Sequence, residues 1–141
     1  MNGAVTVDAS VFVSAFTPSE QAHLVSKAFL REIRLSSVRL ILPTLALVEI
    51  AAAIGRGQSK PDLGYAFAIE VSSFPELTLV NLGNDLAQEA AEIAAYHRLR
   101  GSDAVYAAVA RRYATTLVTL DVEQGERAAA VVAVRRLEGG N

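Results

Sequence analysis

Short β-rich runs alternate with Ala- and Leu-rich helical stretches along this chain. That alternation narrows the architecture sharply, because parallel strands need helical crossovers, and the crossovers then cover both faces of the sheet. A first strand is expected over 4–7. A helix opens at Thr17-Pro18-Ser19-Glu20, with Ser19 as its N-cap, and runs to about Leu35. The second strand is expected over 38–42; Pro43 stands where a helix can begin without losing a hydrogen bond, and that helix stops at Gly55-Arg56-Gly57. Another helix is expected from about Asp62 to Phe74, a third strand over 77–82, and a helix capped by Asn84 that runs to Arg100. Gly101 closes that helix and Ser102 opens the next, which reaches about Tyr113. A fourth strand over 116–120, a short helical turn, a fifth strand over 130–134 and a Gly139-Gly140-Asn141 tail complete the reading. The expectation is a three-layer α/β/α sandwich folding as one domain over 1–141.

Composition supports such a fold and excludes several functions. Apolar residues make up 52% and charged residues 20%, which rules out intrinsic disorder and fits layers buried on both sides. Thirteen basic residues face fifteen acidic ones, a formal charge of -2, so the chain does not grip nucleic acid by overall positive charge. Without cysteine there is no disulfide, thiolate zinc site or cysteine nucleophile, and His23 and His97 are too few for a histidine-rich metal site. Met1-Asn2-Gly3 has no basic stretch and the next apolar run is broken by Asp8, so no signal peptide is expected. The longest apolar run, 40–54, contains Pro43, Thr44 and Glu49 and falls short of the ~20 residues that span a bilayer; a cytoplasmic protein with no membrane partner is expected.

In so apolar a chain the informative residues are charges inside segments that should be buried, since an unpaired buried carboxylate costs several kcal/mol. Four stand out. Asp8 follows the first strand and Asp121 the fourth, both at carboxyl ends, where open α/β sheets build their sites. Glu49 lies within Leu45-Ala46-Leu47-Val48-Glu49-Ile50-Ala51-Ala52-Ala53, and Asp103 begins a helix beside Val105, Ala107 and Ala108. Each has an ordinary reading: a strand-end Asp caps a turn, Asp103 suits a helix start, and Glu49 could edge a solvated helix face. One shared site explains all four together. Carboxylates within about 4–6 Å of one another raise each other's pKa, so the cluster stays ionised only beside a cation. Oxygen ligands without His or Cys suit Mg²⁺ or Mn²⁺, and such a centre implies metal-assisted phosphodiester hydrolysis.

The same residues carry a resemblance to the PIN-domain ribonucleases, and within them to the VapC-type toxins of toxin–antitoxin pairs. It rests on Val5-Thr6-Val7-Asp8-Ala9-Ser10, on Glu49 in an apolar helix after Pro43, on Leu99-Arg100-Gly101-Ser102-Asp103-Ala104, and on Leu117-Val118-Thr119-Leu120-Asp121. Together these span nearly the whole chain. The resemblance implies a parallel sheet in order 3-2-1-4-5, which sets the first and fourth strands side by side. It implies that Asp8, Glu49, Asp103 and Asp121 are catalytic and metal-holding or water-orienting groups, with Ser10 and Thr119 supporting them as hydroxyl donors. It implies an RNA substrate, a homodimer, and a cognate antitoxin protein that inserts a segment into the acidic groove. One departure stands out: many relatives place an aromatic residue shortly after the last Asp, whereas Val122-Glu123-Gln124 follows here, with Glu123 read as a solvated helix residue.

Other readings fit less well. A receiver domain needs an Asp after the third strand and a Lys after the fifth, but Asn81-Leu82-Gly83 stands at the first place and the only lysines are Lys27 and Lys60. A haloacid-dehalogenase-type phosphatase wants a second Asp where Ser10 stands. Gly55-Arg56-Gly57-Gln58-Ser59-Lys60 is followed by Pro61 and is fed by no strand, so it reads as a turn, not a phosphate loop. Tyr96 and His97 read as packing or surface residues, and Arg98, Arg100, Arg111-Arg112 and Arg135-Arg136 are ambiguous between phosphate contacts and helix-end charges. A PIN-like binding module without turnover and a PIN nuclease of RNA processing remain as alternatives to the toxin.

Overall fold

A computed structural model of the chain describes residues 3–138. Five strands, β1 (Val5–Val7), β2 (Leu40–Pro43), β3 (Leu77–Val80), β4 (Thr116–Thr119) and β5 (Val134–Arg136), form one sheet in the order β3-β2-β1-β4-β5, every pair parallel. This is the order the resemblance implies. The chain works outward from β1 to β3 on one side, then returns to β4 and β5 on the other, so the topological switch lies between β1 and β4. Val5, Thr6 and Val7 pair with Thr116, Leu117 and Val118, and the Asp8 N–H extends the ladder to the Val118 carbonyl at 2.8 Å.

Among the described residues seven helices join the strands: α1 (Ala9–Ala15), α2 (His23–Leu35), α3 (Leu45–Gly57), α4 (Pro61–Val71), α5 (Asn84–His97), α6 (Gly101–Tyr113) and α7 (Val122–Ala128). Helices α1 to α4 pack with one another, as do α5 to α7, and right-handed connection, the rule for parallel strands, sets the two groups on opposite faces; α1 packs on α2 and α3, and α6 on α5 and the central strands. Helix α6 is the most deeply set: residues 103–110 are all buried, and their Ala-rich sequence lets the helix lie close against the sheet. Among the described residues no helix is long and apolar enough to cross a membrane.

Several boundaries differ from the sequence reading, each for a physical reason. Residues 9–15, assigned to no element from sequence, form α1; Asp8 caps it by accepting the Ser10 N–H, and burial of Val11, Phe12 and Ser14 offsets a weak helix propensity. Helix α2 starts at His23, with Ala22 as its N-cap and no side-chain cap, so Ser19 does not open it. Gly55 and Gly57 lie within α3, not in a turn. The glycine needed there is Gly64 on α4, where a Cβ would stand 2.6 Å from the Ala51 carbonyl oxygen and 2.8 Å from the Gly55 nitrogen. Helix α5 ends at His97 with Arg98 in the left-handed conformation (φ 57°), and Gly101 begins α6, not closes α5; Gly83, not Asn84, is the N-cap of α5. Residues 131–132 belong to a turn in which both N–H groups bond the Ala128 carbonyl, and the fifth strand is the later 134–136, a short edge carrying Arg135 and Arg136. The Gly139-Gly140-Asn141 tail lies outside the described residues.

Candidate active site

The carboxyl ends of β1 and β4 open into a cleft of about 670 Å³. Asp8, Glu49, Asp103 and Asp121 all line it, together with Ser10, Arg56 and Arg100. Four separate elements deliver the acids. Asp8 directly follows β1 and Asp121 stands two residues beyond β4, at the exits of neighbouring parallel strands. Glu49 projects from the second turn of α3, which leaves β2 on the same side. Asp103 sits in the first turn of α6, whose N-terminus lies at the strands' carboxyl ends because the helix runs antiparallel to the strand it feeds.

The ordinary readings of the aspartates hold at the same time as their convergence. Asp8 caps α1 through Oδ2, and Asp121 caps α7 by accepting the Gln124 N–H on Oδ1 at 3.0 Å. Each cap leaves capacity for a second partner. Asp8 Oδ1 accepts from Gln124 Nε2 at 3.1 Å, while Gln124 Oε1 accepts from the Thr119 hydroxyl at 2.6 Å. Thr119 Oγ1 also accepts the Asp121 N–H at 3.0 Å. The Thr119 proton is therefore spent on Gln124, and this hydroxyl reaches the acids through the amide, not directly. Ser10 Oγ accepts the Leu120 N–H at 3.4 Å, tying α1 to the loop after β4.

Electrostatics mark the cleft as short of positive charge. Burial pushes the Glu49 carboxyl above its ordinary value; the Tyr106 hydroxyl, donating to Oε1 at 2.7 Å, pulls it back, and Asp8 and Asp103 raise it again. Asp103 is likewise raised, first by burial, against the lowering effect of Arg100, with Asp8 and Asp121 adding to the rise. The cation facing these acids is Arg100, whose Nε donates to Asp103 Oδ2 and Nη2 to Asp121 Oδ2, both at 3.0 Å.

The donor set is chemically that of a hard divalent cation: carboxylates only, mutually repelling, with a guanidinium already neutralising two of them. Among the described residues no three acids stand close enough to hold one ion between them. Mg²⁺ does not demand such a cage, since it usually takes one or two carboxylates and keeps its remaining positions for water and substrate oxygens. The residues present therefore fit the group, as an open site.

Three residues that hold the cleft's acids escaped the sequence reading or were left ambiguous. Gln124 and Tyr106 are wholly buried polar side chains, and their partners lie 116 and 57 residues away in sequence, so no local pattern reveals them. Arg100 was ambiguous and turns inward on the acids. The other ambiguous arginines serve elsewhere: Arg111 and Arg112 clasp Glu89 of α5, Arg135 lies over the Phe29 ring, and the Arg98 carbonyl accepts from Arg127. Glu123 is exposed and pairs with Arg127, as expected of a solvated helix residue. Tyr96 is exposed, and neither it nor His97 lines the cleft.

A parallel 3-2-1-4-5 sandwich with acids gathered at its switch point defines a class of small α/β proteins with an acidic cleft. The PIN domain family matches residues 5–130, and the chain belongs to that family. Among solved structures it is similar to VapC20 of Mycobacterium tuberculosis, described as a sarcin-ricin loop cleaving toxin, at 21% identity and a TM-score of 0.74 over 94% of this chain and 99% of that one. It is similar to VapBC2 of Rickettsia felis, bound to a DNA fragment from their promoter, at 11% identity and a TM-score of 0.72 over 96% and 99%. A toxin–antitoxin complex from Klebsiella pneumoniae matches at 12% identity with a TM-score of 0.61 over 86% and 89%. Among curated protein sequences nothing matches.

Proposed function

We propose that this protein is a Mg²⁺- or Mn²⁺-dependent endoribonuclease that hydrolyses RNA phosphodiester bonds, and that it is the toxin of a toxin–antitoxin pair. The observation that carries the reading is the single cleft lined by Asp8, Glu49, Asp103 and Asp121 with no histidine on its walls. Asp103 and Asp121 are the residues that would hold the cation directly, with Asp8 reaching it through water. Bound there, it supplies Lewis acidity toward a phosphoryl oxygen and neutralises charge building up in the cleft.

The chain's own groups do the rest. Tyr106, donating to Oε1, fixes the Glu49 carboxylate, with Ser102 as a second hydrogen-bond partner, and the carboxylate so held orients a water and takes its proton; a carboxyl raised above its ordinary value is the better base for that work. Gln124 holds Asp8 in place, and Ser10 holds the loop that carries Asp121. Arg56, on the cleft wall, is the residue that would meet a backbone phosphate of bound RNA.

The toxin role draws support from the solved relatives just named, one a cleaving toxin and one a toxin–antitoxin complex. With it come a cognate antitoxin and cytoplasmic action. A homodimer is supported by Tyr65 and Ile69, one turn apart on α4, which stand exposed although large and apolar.

The decisive experiment incubates the purified protein, free of any partner, with defined RNAs in Mg²⁺, Mn²⁺ or EDTA. Cleavage is expected only with metal, and Asp8→Asn and Asp103→Asn should each lose about 100-fold or more, the scale of removing one charge-stabilising group. Cleavage in EDTA, or unchanged rates in both variants, overturns the mechanism; a wild type that binds RNA without cutting it is a binding module. For the toxin role, growth arrest on expression should be relieved by co-expressing a short neighbouring gene that encodes a small DNA-binding protein, and a chain harmless in its host refutes that role.

A further inference from the structure

Arg100 is the N-cap of α6, in extended backbone (φ -63°, ψ 154°), and its side chain is 75% exposed. From that position one guanidinium spans two carboxylates of different elements, Asp103 at the start of α6 and Asp121 just beyond β4. The oxygens it takes are telling. Asp121 Oδ1 is already committed to the Gln124 N–H, so Arg100 occupies the oxygen left for another partner. The other arginine–acid pairs among the described residues are of a different kind: Arg111 and Arg112 meet Glu89 between α5 and α6, Arg127 meets Glu123 one turn away on α7, and Arg136 meets Glu138 just after β5, none of them involving the four acids. Arg100 alone among the described pairs neutralises acids of the cleft, and an exposed side chain can leave without opening the core.

We propose that Arg100 is a built-in counterion of the metal-free site: it holds Asp103 and Asp121 until a divalent cation takes the same two oxygens, and the cation binds only as Arg100 departs. The inference rests on reading these acids as the metal-holding group. A carboxylate oxygen already accepting a charged hydrogen bond is a poorer ligand, so Arg100 sets the metal affinity of the site below what its acids alone would reach. The exchange replaces one positive charge by two, which favours the cation once its concentration suffices.

The test is Mn²⁺ binding to the full chain, measured by titration calorimetry and by the rise in melting temperature with Mn²⁺, neither of which needs turnover. Arg100→Gln should bind Mn²⁺ roughly tenfold more tightly than wild type, the scale of two exposed ion pairs that no longer have to be broken. Arg100→Lys, whose ammonium lacks the two-armed fork, should fall between them. Arg111→Gln removes the same charge away from the cleft and should leave the affinity unchanged; if it tightens binding as much as Arg100→Gln does, the effect is net charge and the proposal fails. Arg100→Gln binding Mn²⁺ no better than a wild type that binds it, with Asp103→Asn abolishing uptake, overturns the counterion role and leaves the metal site standing. Failure of wild type and both Arg100 variants to take up millimolar Mn²⁺ overturns both.

Discussion

Gln124 illustrates how a neutral residue can govern an acidic site. Its side chain is buried, accepts from Thr119 and donates to Asp8, so it links β4 to β1 across the switch point through two directed bonds. Gln124→Ala leaves a buried hydroxyl without its acceptor and a carboxylate without one of its donors. It should lower unfolding free energy by about 1–3 kcal/mol in urea titration, with RNA cleavage falling beside it. Glu49 and Asp103 work in the opposite direction. Both have folded pKa values above the ordinary 4.5 and 3.8, because burial and neighbouring carboxylates disfavour the charge. Their contribution to stability is therefore fully present below those ordinary values and is lost as pH rises through the raised ones. In EDTA the protein should become less stable as pH climbs out of the acid range, and Glu49→Gln should flatten that slope, as denaturation at a series of pH values will show. Asp8, Glu49, Asp103 and Asp121 were legible because a charge in an apolar segment is conspicuous in one dimension. Gln124 and Tyr106 were not, because a neutral polar residue carries no such signal and its partner lies on a distant strand or helix.

At the scale of elements, the packing of α4 on α3 shows what a glycine can be for. A turn was expected at Gly55-Arg56-Gly57, yet both glycines are helical, and the close approach is made by Gly64 against the Ala51 carbonyl and the Gly55 nitrogen. Gly64→Ala would normally gain helix propensity. Here its methyl meets backbone that cannot rotate away, so it should destabilise the fold by about 1–3 kcal/mol, read as a lower midpoint in urea. The same α3 carries Glu49 and Arg56 to the cleft, so the variant should also lower cleavage through a shifted helix. Helix α1 went unassigned because its Ser, Val and Phe content favours no helix locally; a cap from Asp8 and burial on the sheet decide it. The fifth strand was placed too early because Val131-Val132 reads as β-rich, while the ladder partners of β4 turned out to be Val134–Arg136.

For the whole molecule, net charge misleads until the acids are placed. With Asp8, Glu49, Asp103 and Asp121 of the fifteen acids set aside, eleven acidic residues face thirteen basic ones, so the rest of the chain is about +2. RNA association should accordingly be modest and should weaken as NaCl rises from 50 to 200 mM, with a shallow slope reflecting few phosphate contacts, as fluorescence anisotropy in the presence of EDTA will show. A salt-independent affinity would argue against backbone contacts. What the sequence by itself determined is the class of fold and the identity of the four acids, since hydrophobic periodicity and misplaced charge are both written locally along the chain. Only the tertiary structure decided how those acids are held. The amide, hydroxyl and guanidinium that orient them come from the first turn of α7, from the middle of α6 and from its cap, and a contact between residues far apart in sequence exists only once the chain has folded.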